Sequence, residues 1–296
     1  MALNVLKDIR KIYAGLNADE IRGAAHQDLN VGLMASNEEA LRRMERFLAP
    51  AAMESNDQTL ALRAVHPVDG AVKRESIDRF DFVLCETGMA VPRNGYLFES
   101  DDEGSLVHLI LAENHKLELT LARTFPLFRP AVSKNIIQRV ARENAFFALA
   151  TALPNIVPSL IELPWTVGEF ATDTAFISMN QVRMALNLAA AHGRPVGYAE
   201  QKGEIAAIAA GAFGWRALAR ELVGKIPLGG GLIPKAAIAF AGTWVVGIGL
   251  EKVNRIGTGL TKQERRDAYA DAFARGKDVV QAMLPEAVNV NGGRAE

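Results

Sequence analysis

The chain has one cysteine in 296 residues, few aromatic side chains (7%) and no block of lysine and arginine. Each absence excludes something. A lone Cys85 cannot close a disulfide within the chain, and such sparing use suits a reducing cytosol. Its neighbours Leu84 and Glu86 supply no base, so it reads as a small hydrophobe in a strand and not as a nucleophile. A net charge of -1 with no basic stripe argues against a nucleic-acid groove. His26, His66, His108, His115 and His192 form no His-Glu-x-x-His pattern and have no cysteine pair beside them. No Gly-x-Ser-x-Gly elbow and no Asn-Lys-x-Asp base-recognition motif is present. The sequence therefore predicts no catalytic residue, no metal and no cofactor, and leans away from an enzyme.

Unbroken hydrophobic runs of membrane-spanning length are also lacking. A spanning helix needs about 20 apolar residues. The 236–250 run, Ala-Ala-Ile-Ala-Phe-Ala-Gly-Thr-Trp-Val-Val-Gly-Ile-Gly-Leu, falls short, though a few flanking residues could extend it, and the 145–161 run carries Pro154, Pro158 and Asn155. The start of the chain alternates charges with Leu3, Val5, Leu6, Ile9, Ile12, Tyr13 and Leu16, the pattern of an amphipathic helix and not of a signal peptide.

What is present divides in two. Residues 1–130 read as a small α/β domain. A short helix is predicted after Asn17, then a strand over 29–35 and a helix over 38–48 ended by Pro50. Ser36 and Glu39 have capping-box spacing before that helix. Further strands are predicted over 60–65, 80–85 and 95–98; 105–112 suits either a strand or a helix, and 117–125 reads as helical. A strand, a tight turn and a helix is where a phosphate-binding loop would sit. Counted from Gly32, its Gly-Lys-Ser/Thr slots hold Asn37, Glu38 and Glu39, and two carboxylates repel a triphosphate.

Residues 131–285 read as an apolar helical domain, and 286–296 have the composition of a tail. Helices are predicted over about 132–153, 167–191, 201–221, 236–250 and 261–284. Glu169, Asp173, Asn180 and Asn187 share one face of the second, either as a solvated stripe or as a polar lining towards a cavity or partner helix. Ala237, Ala241, Gly242, Gly247 and Gly249 are small enough for close helix approach. Phe146, Phe147, Trp165, Phe240 and Trp244 are candidates for membrane or interface contact, although tryptophans and apolar helices also fill soluble cores.

The segments Ala141-Arg-Glu-Asn-Ala145, Thr151-Ala-Leu-Pro-Asn-Ile-Val-Pro158, Asn180-Gln-Val-Arg-Met184 and Ile226-Pro-Leu-Gly-Gly-Gly-Leu-Ile-Pro234 precede or punctuate these helices. In these, from roughly Arg139 to Leu284, the chain resembles a bacterial family of helical domains of unknown function, often found C-terminal to Era-like small GTPases. The resemblance implies a helical bundle, often membrane-associated, with no catalytic residues to carry over. It also implies a degenerate, GTPase-like first half without its phosphate loop. The expected fold is thus α+β, mainly α. The expected function is a non-catalytic scaffold or regulator in the cytoplasm, at the inner face of a membrane. Its partners are expected to be that membrane surface or another protein, not nucleic acid, with homo-oligomers as an option. The alternatives are a soluble oligomeric structural protein, or a small-ligand binder or enzyme using Glu169 and Asp173.

Overall fold

The computed structural model describes residues 17–68, 77–99, 103–152, 173–209 and 232–292. Among them lie one small parallel sheet and a larger set of helices, so the chain is mixed α and β and mainly helical. It divides into two compact units. One comprises Asp19–Lys134 with Ala189–Pro195; the other takes in Asn135–Leu188 and Val196–Glu296. The first boundary falls inside a helix and not in a linker.

The sheet unit runs α1 (Ala18–Ala25), β1 (Val31–Met34), α2 (Glu38–Leu48), α3 (Ser55–Ala64), β2 (Val65–Val68), β3 (Phe82–Glu86), β4 (Gly95–Phe98), α4 (Glu103–Glu113) and α5 (Glu118–Thr124). Strand order is β2-β1-β3-β4, and every pair is parallel. Val31 stands beside Val65 on one side and Phe82 on the other, and Val83 beside Gly95. All four residues of β1 are buried, as expected of a central strand in a parallel sheet covered on both faces. Gly32 has no room for a side chain: a Cβ there would lie 2.9 Å from Val68 Cγ2 and 3.1 Å from Val83 Cγ2. Its absent side chain serves strand packing, not the approach of a phosphate. Met34, Val68, Ile77, Phe80, Val83 and Cys85 form one core cluster here.

The predicted strand over 60–65 is a correction. Leu60, Ala61, Leu62, Arg63 and Ala64 close α3, and the strand begins only at Val65. Those five residues are good helix formers, whereas Val65 is β-branched. Pro67 is tolerated in β2 because β2 is an edge strand. The ambiguous 105–112 segment is helical, within α4. The capping also differs by one residue: Asn37, not Ser36, caps α2, its side chain accepting from the Ala40 amide at 2.9 Å. α2 buries Ala40, Met44 and Leu48, one face at four-residue spacing. Arg129 closes α5, donating from Nε to the Ala122 carbonyl at 3.1 Å and from Nη2 to Asp57 at 2.9 Å.

The helical unit contains most of α6 (Arg129–Ala152) and α7 (Asp173–Ala191), then α8 (Lys202–Ala209), α9 (Leu232–Ile256) and α10 (Lys262–Gly292). α9 is longer than the 236–250 run that predicts it, and α10 continues past Leu284 into the stretch expected to be tail. At Gly247 a Cβ would meet Ile137 at 2.7 Å and the Met184 sulfur at 3.1 Å, so α9 is held against α6 and α7 by the lack of one. α10 starts with a reciprocal cap. The Glu264 amide donates to the Thr261 hydroxyl at 3.2 Å, and the Thr261 amide to the Glu264 carboxylate at 2.7 Å. Lys252, near the end of α9, reaches the same carboxylate at 2.7 Å. The hydrogen bond from Lys252, followed by those from Thr261, holds the Glu264 carboxyl down at about 2.

The N-terminal amphipathic helix, the Pro154–Pro158 break, Trp165, Glu169, Trp215 and the triple-glycine turn lie outside the described residues.

Candidate functional site at the carboxyl edge of the sheet

In open parallel sheets, ligands bind outside the carboxyl ends of the strands, where the strand order reverses. Here the reversal falls between β1, whose next strand lies on one side, and β3 on the other. The turn Ala35-Ser36-Asn37 leads from β1 into α2, and Glu86 and Thr87 leave β3 beside it. A 360 Å³ cleft opens there, lined by Arg43, Glu86, Thr87, Phe98 and Glu99 among others.

The anion seat in this cleft is already taken. The Glu86 carboxylate accepts from the Ser36 amide at 2.7 Å and faces Arg43 at 3.6 Å. Hydrogen bonds from Ser36, first from its side chain and then from its backbone, hold the Glu86 carboxyl below its ordinary range, with Arg43 assisting. Asn37 satisfies one free amide of α2, and Glu38 and Glu39 place two further carboxylates in the first turn. The positive end of the helix is therefore answered by the chain's own groups. Cys85, one residue earlier, is fully buried, and burial pushes its thiol up to about 11. It is a packing residue at neutral pH.

Beside this cleft lies a larger cavity of 610 Å³ between α2, β4 and α4, with Arg43 and Phe98 common to both. Sequence reasoning did not single out Glu86, Arg43, Arg46, Phe47 or Phe98. The arginines read as the wet face of α2, and only the sheet topology brings β4 beside that face.

The helical unit holds a second polar constellation. Asn144, Asn180, Gln181 and Thr243 are all buried, on α6, α7 and α9. Asn144 donates to the Thr243 hydroxyl at 2.9 Å, Asn180 donates to the Asn144 carbonyl oxygen at 2.8 Å, and Gln181 reaches the Thr243 hydroxyl at 3.5 Å. Arg183 and Glu143 form an ion pair at the margin. Of the predicted polar stripe, Asn180 thus turns to partner helices, and Asn187 donates to the Arg183 carbonyl of its own helix at 2.8 Å. Asp173 starts α7.

Of the predicted contact residues, Phe147 is buried and stacks on Phe176 with centroids 3.8 Å apart, while Phe146 is half-buried. Phe240 and Trp244 are buried and stacked at 5.8 Å, with the Arg275 guanidinium 4.3 Å over the indole. The helix span Ile233–Ile256 is long and apolar enough to cross a membrane, its most apolar 18-residue window having a mean hydropathy of 1.5, yet 67% of that window is buried within the protein. Among the described residues no group of three or more His, Cys, Asp or Glu is placed to hold a metal ion.

Comparison with protein-family models, with curated proteins and with solved structures finds no match.

Proposed function

We propose that this chain is a non-catalytic scaffold or regulator associated with a membrane surface. Its sheet unit, a degenerate GTPase-like domain, recruits a partner protein, and its helical unit engages the membrane. The observation that carries the reading is the Glu86 carboxylate seated on the Ser36 amide, 2.7 Å away, where a nucleotide phosphate would need that amide. Displacing Glu86 would cost its hydrogen bonds and bring a polyanion up to Glu38 and Glu39. The apolar Ile233–Ile256 span supports the membrane half of the reading.

The test is a calorimetric titration with GTP and ATP, each with magnesium. The reading predicts no saturable binding tighter than about 1 mM. Saturable, magnesium-dependent binding at lower concentration would overturn it.

A second reading, a soluble structural protein that packs into oligomers, is favoured by one specific observation. The apolar window of α9 is 67% buried inside the chain's own fold, as a soluble core helix would be. Under it Phe240 and Trp244 are core residues, and a Trp244→Asp variant reports folding before it reports any membrane contact.

A further inference from the structure

We infer that the 610 Å³ cavity between α2, β4 and α4 is a binding site for a small amphipathic monoanion, a carboxylate carried on a flat apolar body. It is an open groove of small-molecule size, and its lining joins the apolar Phe47, Pro50, Phe98, Val107 and Leu127 to the charged Arg43, Arg46 and Glu103. Phe47 and Phe98 meet at one side with ring centroids 5.3 Å apart and a tilt of 55°, and Val107 and Leu127 extend the apolar wall. Arg43 and Arg46 stand three residues apart on α2, on one face of the helix, and both line the cavity.

The two arginines differ. Arg43 already faces Glu86 at 3.6 Å across the neighbouring cleft. Arg46 has no carboxylate partner among the described residues and is exposed at the cavity. Its ordinary role, a cation in the last turn of a helix, needs no cavity beside it. A guanidinium left open beside two aromatic rings offers a fork for one carboxylate with an apolar surface next to it. The Glu103 carboxylate also lies in the lining. With Arg43 set against Glu86, and Glu103 opposing a second negative charge, the site suits one negative charge and disfavours polyanions. This inference is independent of the nucleotide reading, because the cavity does not include Ser36 or Glu86.

The test is isothermal titration of the full-length chain with 2-naphthoate, its neutral counterpart 2-naphthamide, and inorganic phosphate. The expected result is saturable binding of 2-naphthoate, at least about tenfold weaker binding of the amide, and weaker binding still of phosphate. Arg46→Gln should weaken 2-naphthoate at least about tenfold, with Arg46→Lys between it and the parent. Arg42→Gln, at an arginine that pairs with Glu38 and does not line the cavity, should leave binding unchanged, and thermal melts of all variants should overlay. The inference is overturned if 2-naphthoate shows no saturable binding or the amide binds equally well. It is also overturned if phosphate alone binds as tightly, or if Arg46→Gln has no effect.

Discussion

Replacing Thr243 by valine keeps the shape of the side chain and removes the hydroxyl that accepts from Asn144 at 2.9 Å. Asn144 is fully buried, so its amide hydrogen is left with no water to turn to. The lost bond is worth about 1 kcal/mol and the orphaned buried donor about 1–3 kcal/mol more, so Thr243→Val should destabilise the helical unit by roughly 2–4 kcal/mol. Asn144→Leu should cost a similar amount, because it orphans the Asn180 amide that donates to Asn144 at 2.8 Å. In Asn144→Leu/Thr243→Val the shared donor and acceptor vanish together. The double variant should therefore lose about 1–3 kcal/mol less than the sum of the single losses. Urea unfolding followed by tryptophan fluorescence reads the correct unit through Trp244, which is buried in it. The measurement is made in buffer or mild detergent, whichever keeps the protein dispersed. A Thr243→Val variant within about 0.5 kcal/mol of the parent, or additive single losses, would refute the claim that these groups form one buried network.

Three further outcomes follow from the packing and the charges. Gly247→Ala should melt below the parent because its Cβ would lie 2.7 Å from Ile137, whereas Gly203→Ala, with nothing within 4 Å, should melt at or above it; calorimetry that ranks them the other way would contradict the close approach. The Glu264 carboxyl is depressed from 4.5 to about 2, so its stabilisation is fully present above the unfolded value and is lost as pH falls through the folded one. The stability difference between the parent and Glu264→Gln should therefore hold at neutral pH and shrink progressively below about pH 4.5; a difference that grows on acidification would reverse the sign. Cys85, buried with its thiol at about 11, should resist iodoacetamide at mildly alkaline pH until denaturant is added, and rapid labelling of the folded protein, read by mass spectrometry, would place the thiol elsewhere.

Periodicity and punctuation made much of the architecture legible. The helix at 38–48 and the strand at 95–98 have the predicted limits, and α6 starts three residues before its prediction. These elements announce themselves locally, through a cap, a proline or a clean apolar face. The misread strand at 60–65 had no such signal, because an Ala-Leu-rich run ending in valine satisfies both patterns over so few residues. The sites were less legible. Glu86 and Ser36 are 50 positions apart and meet only because β3 pairs beside β1. Arg43 and Arg46 look like solvent-facing charges until β4 is placed beside α2. Asn144 and Thr243, 99 positions apart, were hidden for other reasons: Asn144 follows Arg142 and Glu143 in a helix with many polar residues, and Thr243 is a single hydroxyl in an apolar one. The adjacent pair Asn180 and Gln181 on α7, with the lone Thr243 in the apolar run of α9, is the signal that would have suggested a shared network.

The most direct test of the account is fractionation of cells expressing the chain without detergent, followed by an alkaline carbonate wash and flotation of the membrane pellet. The proposed function predicts that the protein stays with the washed membranes and floats with lipid, through helices that include Ile233–Ile256. Recovery of a folded protein in the soluble fraction would contradict it, and would make that span the core of a soluble helical unit.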